Sequence, residues 1–226
     1  MVIWIIFGFF MLLSWIVSNQ LKSKFSAYSK IPVSNGMSGS EIANKMLIDN
    51  RISGVKVLTT AGSLSDHYNP VNKTINLSRD VFEGRNIAAA AVAAHECGHA
   101  IQHATAYHWL QMRSALVPIV SFSSKWVQWV LLAGILFLQS FPQLLLAGIV
   151  LFALTTLFSL ITLPVEIDAS NRALTWLETS EITSSRSHTL AQEALRWAAY
   201  TYVVAALASL ATLIYYIAIF IGGRRD

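Results

Sequence analysis

Four apolar runs constrain this chain more than any other feature. They cover residues 1–17, a stretch ending near 139, residues 144–163 and residues 198–221. The second begins between Val117 and Trp126, where Lys125 interrupts it. A membrane-crossing helix needs roughly 17–25 mainly apolar residues, and the runs approach or meet that length. Only 12% of the 226 residues are charged and 54% are hydrophobic, against roughly 25% charged in a typical soluble domain. The expected fold is an α-helical membrane protein with about four transmembrane helices and a small α+β polar portion. The expected organisation is a transmembrane anchor at 1–18, a polar portion at 19–115, a transmembrane hairpin at 116–163, a polar helical segment at 164–197 and a last transmembrane helix at 198–222. The first run is expected to be an uncleaved anchor, because Lys22 and Lys24 follow it and no clear A-x-A site does.

Charge narrows the partners. The net charge is +4, with 16 Lys and Arg against 12 Asp and Glu. No basic block is interleaved with aromatics, so no nucleic-acid partner is expected. Four spans put 18–115 and 164–197 on one side of the membrane. Those segments hold nearly all the Lys and Arg, and the 139–143 turn holds none. The positive-inside rule places that side in the cytoplasm, although Arg224 and Arg225 argue the other way. Cys97 is the only cysteine, so no intramolecular disulfide forms. Nothing in the sequence specifies an oligomeric state.

Within 19–115, Ser40 to Ile48 has helical spacing with Ser38 or Ser40 as N-cap, ending by Gly54. Val55–Thr59, Leu64–Tyr68 and Thr74–Leu77 read as short strands, with Asn69-Pro70-Val71-Asn72 as a turn. Thr74–Leu77 is either an edge strand for pairing with an extended peptide or an ordinary strand in a small sheet. A helix follows from about Ile87 to His103, capped by Asn86.

That last helix carries His95-Glu96-Cys97-Gly98-His99, an H-E-x-x-H motif. Residues i and i+4 share one helical face, so both imidazoles reach one ion. Glu96 projects beside such an ion, where it can take a proton from an attacking water. A catalytic zinc site needs a third protein ligand. Glu166 and Asp168 stand out among the acids because they emerge directly from an apolar run, where carboxylates are costly unless functional or wet. Their i, i+2 spacing lets one act as ligand while the other supports it. His103 lies one further turn along the metal face. It and Arg172 are candidates for stabilising an oxyanion, and Arg172 is alternatively a partner for Asp168. His67 and His108 have no spacing argument and read as structural. Cys97 reads as buried packing.

These stretches resemble the bacterial membrane neutral zinc metallopeptidases, the YugP-like family. The resemblance lies in Asp66-His67-Tyr68-Asn69-Pro70, Thr74-Ile75-Asn76-Leu77-Ser78, Ala93 to His103, Leu163-Pro164-Val165-Glu166-Ile167-Asp168-Ala169-Ser170 and Ala199 to Val203, in order along nearly the whole chain. It implies a gluzincin-like, zinc-dependent metalloendopeptidase of the bacterial plasma membrane. One Zn2+ per chain would be held by His95, His99 and Glu166, with Glu96 as general base. A peptide or membrane-protein substrate and the lipid bilayer are the partners it implies. Cys97 occupies a variable position, and Asn69 stands where Asp is expected. A more distant likeness is to HtpX-type membrane proteases, which carry E-x-x-A-D at the third ligand. Here Ser170 replaces that last Asp, so its supporting role passes to Asp168 or is absent.

Two other functions fit parts of the pattern. A site-2-type intramembrane protease also uses H-E-x-x-H, but inside a spanning helix and with an L-D-G segment, which this chain lacks. A non-catalytic membrane scaffold with a structural zinc would not need Glu96.

Overall fold

The computed structural model describes residues 2–62 and 64–223. Arg224 and Arg225, whose charges opposed the cytoplasmic placement of the polar segments, lie outside the described residues, as do Met1, Ser63 and Asp226. The elements run α1 (Val2–Tyr28), α2 (Gly39–Asp49), β1 (Lys56–Thr60), β2 (His67–Asn69), β3 (Thr74–Ser78), α3 (Arg79–Phe82), α4 (Ile87–Ala104), α5 (His108–Leu136), α6 (Pro142–Thr179) and α7 (Ser185–Gly222). Among the described residues α1, α5, α6 and α7 are long and apolar enough to cross a membrane. The protein is thus an α-helical membrane protein with a small sheet. At 38 residues each, α6 and α7 are about 57 Å long at 1.5 Å per residue, well beyond the roughly 30 Å hydrocarbon core.

The chain divides into two compact units. The first comprises Met1–Ile16, Gln111–Leu163 and Thr201–Asp226. Its core is Val127, Leu131, Leu145 and Ile149. Two glycines let α5 and α6 approach closely: a Cβ on Gly134 would stand 2.6 Å from Leu145 N, and one on Gly148 would stand 2.8 Å from Leu131 Cδ2. Small residues at such contacts are how membrane helices pack, since lipid offers no hydrophobic drive between them. Thr156 and Ser209 hydroxyls bond across α6 and α7 at 2.7 Å. Trp4, Phe7, Trp15, Phe122 and Trp129 are exposed, as lipid-facing side chains are.

The second unit comprises Val17–Leu110 and Pro164–Tyr200. Its core is built from α2, β3, α4 and the later parts of α6 and α7, including Ile42, Met46, Ile75, Leu77, Ile87 and Leu177. The alanine run Ala88–Ala91 with Ala93 and Ala94 is almost wholly buried, and small side chains let α4 sit close to its neighbours. Asn86 Oδ1 accepts from Ala89 N at 2.9 Å and caps α4. Ser38 caps α2 in a capping box: its Oγ accepts from Glu41 N, and Glu41 Oε2 accepts from Ser38 N at 2.7 Å. Ser38→Ala is expected to destabilise the protein by about 1 kcal/mol, read as a lower thermal midpoint with helix content otherwise intact.

The sheet order is β1-β3-β2, with β1 parallel and β2 antiparallel to β3. Thr74–Leu77 is therefore not an edge strand. β3 is central, with Ile75, Leu77 and Ser78 buried, and the free edges belong to β1 and β2. Alternation in sequence reports which face a residue occupies and is silent on which neighbours flank a strand. β2 is shorter than the expected Leu64–Tyr68, because Leu64 has a φ of 56° and extended pairing cannot pass through it. Asp66 closes the strand pair, accepting from Ser78 N at 2.7 Å. Asn69 Oδ1 accepts from Val71 N at 2.9 Å and makes the turn.

The segment beginning at 164 is not a separate helix. α6 runs unbroken through Pro164 to Thr179, so the carboxylates after the third apolar run belong to the helix that begins with the run. Pro164 withdraws only one N–H from the ladder. α5 likewise begins at His108, well before the apolar stretch.

Candidate metal centre

α4 and α6 meet at a glycine. A Cβ on Gly98 would lie 2.5 Å from the Ala169 carbonyl oxygen and 3.0 Å from its C and Cα. Only a residue without a Cβ lets these backbones come so near. His95 and His99 flank Gly98 on one helix, and Glu166 and Ser170 flank Ala169 on the other.

The result is a cluster of three. Nitrogen or oxygen donors of His95, His99 and Glu166 all lie within 4.8 Å of one another. His95 Nε2 is 3.3 Å from Glu166 Oε2, and His99 Nε2 is 3.6 Å from the same atom. The imidazole planes stand at 84° to each other with centroids 4.8 Å apart. Glu166 is 3% exposed, and its Oε2 has no hydrogen-bond partner. A buried carboxylate oxygen left this way is costly unless a cation takes its lone pair.

The donor set fits zinc. Two atoms about 2.05 Å from one tetrahedral ion lie about 3.3 Å apart, close to the separations found. Each imidazole also has its other nitrogen engaged, His95 Nδ1 with Ser170 Oγ at 3.1 Å and His99 Nδ1 with Gln102 Oε1 at 3.0 Å. That leaves both Nε2 atoms facing Glu166, the arrangement in which outer hydrogen bonds orient metal-binding histidines. Burial opposes protonation of His99, but the neighbouring Glu166 and Glu96 carboxylates outweigh it and hold its pKa above the ordinary imidazole value.

The other residues singled out by sequence sit as follows. Glu96 is buried one residue beyond His95, about 100° around the helix from it. Cys97 is fully buried, with Sγ donating to the Ala43 carbonyl at 3.4 Å. Burial first, and then the Glu96 charge, push its thiol pKa well up, so it packs as an inert thiol. Asp168 Oδ2 accepts from Arg172 Nε at 2.6 Å, and the Arg172 guanidinium lies over the Tyr107 ring at 5.6 Å. His103 Nδ1 bonds the Tyr68 hydroxyl at 2.8 Å, which ties the last turn of α4 to β2. His67 is held locally, its Nδ1 at 2.8 Å from the Ser65 carbonyl.

Three contributors escaped sequence reasoning: Gln102, Ser170 as a direct partner of His95, and Tyr68. The spacing of Gln102, three after His99, places it on the same helical face. Nothing in the sequence indicates what the other end of its amide meets.

The buried H-E-x-x-H helix thus brings two imidazoles together with a carboxylate from another helix. Residues 3–221 match the model of the family described as "Putative neutral zinc metallopeptidase", and the chain belongs to that family. It is 40% identical over 214 residues to the "Putative membrane protease YugP" of Bacillus subtilis (strain 168), covering 95% of this chain and 94% of that protein. No solved structure matches the chain.

Proposed function

We propose that the protein is a membrane-embedded zinc metalloendopeptidase in which His95, His99 and Glu166 hold one zinc ion and Glu96 is the general base. The observation that carries this reading is the buried Glu166 Oε2, without a hydrogen bond, facing two Nε2 atoms. A bound zinc supplies a Lewis acid and lowers the pKa of water towards roughly 7. Glu96 takes the proton of the attacking water and passes it to the leaving amine, splitting the peptide bond. His103, whose Nδ1 bonds the Tyr68 hydroxyl, is one candidate for a hydrogen bond to the developing oxyanion. Arg172 is the other candidate; its Nε bonds Asp168 and its terminal N–H groups are further donors. The free edge of β2, which carries Tyr68, is the edge offered to an extended peptide.

Substrates are peptides or membrane-protein segments presented near the cytoplasmic surface, the side that the excess of Lys and Arg favours. α4 is not among the four helices suited to crossing the membrane, which favours a surface site over a site-2-type intramembrane one. The test is cleavage of an unfolded polypeptide by detergent-purified protein. Activity is expected to vanish on treatment with a zinc chelator and to return on adding zinc. Cleavage that persists without metal would overturn the proposal.

A further inference from the structure

Gln102 is fully buried and makes three polar contacts. Its Nε2 donates to the Val165 carbonyl at 2.8 Å and to Asp168 Oδ2 at 2.8 Å, while Oε1 faces His99 Nδ1. Carbonyl and carboxylate oxygens only accept. The amide therefore has one workable orientation, since reversing it would set its oxygen against two acceptors and remove the donor each now receives from Gln102. With Oε1 facing the ring, His99 Nδ1 has to donate. The neutral imidazole then carries its proton on Nδ1 and turns the bare lone pair of Nε2 towards Glu166. Asp168 is itself braced by Arg172, and Tyr107, under that guanidinium, donates its backbone N–H to the Gln102 carbonyl at 2.9 Å.

We propose that Gln102 is a positioning residue that relays the Asp168 carboxylate to His99 and fixes the tautomer and ring orientation in which His99 holds the metal. The inference rests on the metal-centre reading above. It also separates the two histidines. His95 meets a hydroxyl, Ser170 Oγ, which can donate or accept and so imposes no tautomer. His99 is preset by an amide with a single orientation, and His95 is the adaptable ligand. The carboxylate expected in support of the site thus acts across an amide instead of touching a ligand directly.

The test uses full-length protein in detergent: wild type, Gln102→Met, Asp168→Asn and the double variant. Zinc affinity is measured by chelator competition, and the thermal midpoint with and without zinc. Gln102→Met is expected to weaken zinc binding by about 10–100-fold and to shrink the zinc-induced rise in midpoint in step. Asp168→Asn is expected to weaken binding less, and to add nothing in the Gln102→Met background. Unchanged zinc affinity in Gln102→Met overturns the positioning role, and fully additive effects overturn the relay. Should Gln102→Met fail to fold, Asp168→Asn decides alone: wild-type affinity there overturns the proposal. A wild-type protein that binds no zinc overturns the metal-centre reading and the relay with it, an outcome distinct from all the others.

Discussion

Glu96→Gln is expected to lower kcat for peptide hydrolysis by about 10²–10⁴-fold, with zinc content and thermal midpoint unchanged. The substitution keeps the shape of the side chain and removes its capacity to take a proton. None of the three donors within reach of one ion belongs to Glu96, so metal retention is the control that makes the loss interpretable. Glu96 is only 7% exposed, so bulk buffer is poorly placed to replace it as a base. Cleavage at the wild-type rate would remove Glu96 from the reaction and leave a zinc-stabilised scaffold as the better reading. Loss of zinc together with activity would instead make Glu96 a structural member of the cluster.

The H-E-x-x-H pair was legible because a helix turns i to i+4 into neighbours, and the four apolar helices were legible from length and composition. The cap on α2 was narrowed to Ser38 or Ser40, and the local exchange between Ser38 and Glu41, three apart, decides for Ser38. What escaped depends on groups distant in sequence. Glu166 stood out as a carboxylate at the end of an apolar run, but its pairing with His95 follows from the approach of α4 to α6 at Gly98. That approach is a backbone contact that no side-chain pattern reports. Gln102 was invisible for the same reason: its partners are the Val165 carbonyl and Asp168, both on α6. The continuity of α6 was hidden by a drop in hydropathy and by Pro164, two signals that mark the end of an apolar stretch without ending the helix. Whether β3 lies at an edge or inside the sheet was left open by the sequence, because alternating residues define faces only.

Gly98→Ala is expected to destabilise the protein by at least about 1–3 kcal/mol and to lower zinc affinity more than any substitution outside the three ligands. The added Cβ would meet the Ala169 carbonyl oxygen at 2.5 Å, and the obstacle is backbone, which cannot rotate aside as a side chain end can. Either helix must therefore move. His95 and His99 lie three residues before and one after Gly98, and Glu166 lies three before Ala169, so any separation of the backbones opens the ligand cluster directly. The separations of 3.3 and 3.6 Å between imidazole nitrogen and carboxylate oxygen leave little room before one donor no longer reaches the ion. Gly8→Ala is the matched control: a Cβ there meets nothing within 4 Å, and alanine favours a helix over glycine, so stability and zinc affinity are expected to hold or rise slightly. Thermal midpoints and zinc competition on the two variants separate a lost close approach from a general effect of adding a methyl group. If Gly98→Ala bound zinc like the wild type, α4 and α6 would not need their contact at this point, and the cluster would have to be held together by the hydrogen bonds through Gln102 and Ser170 alone.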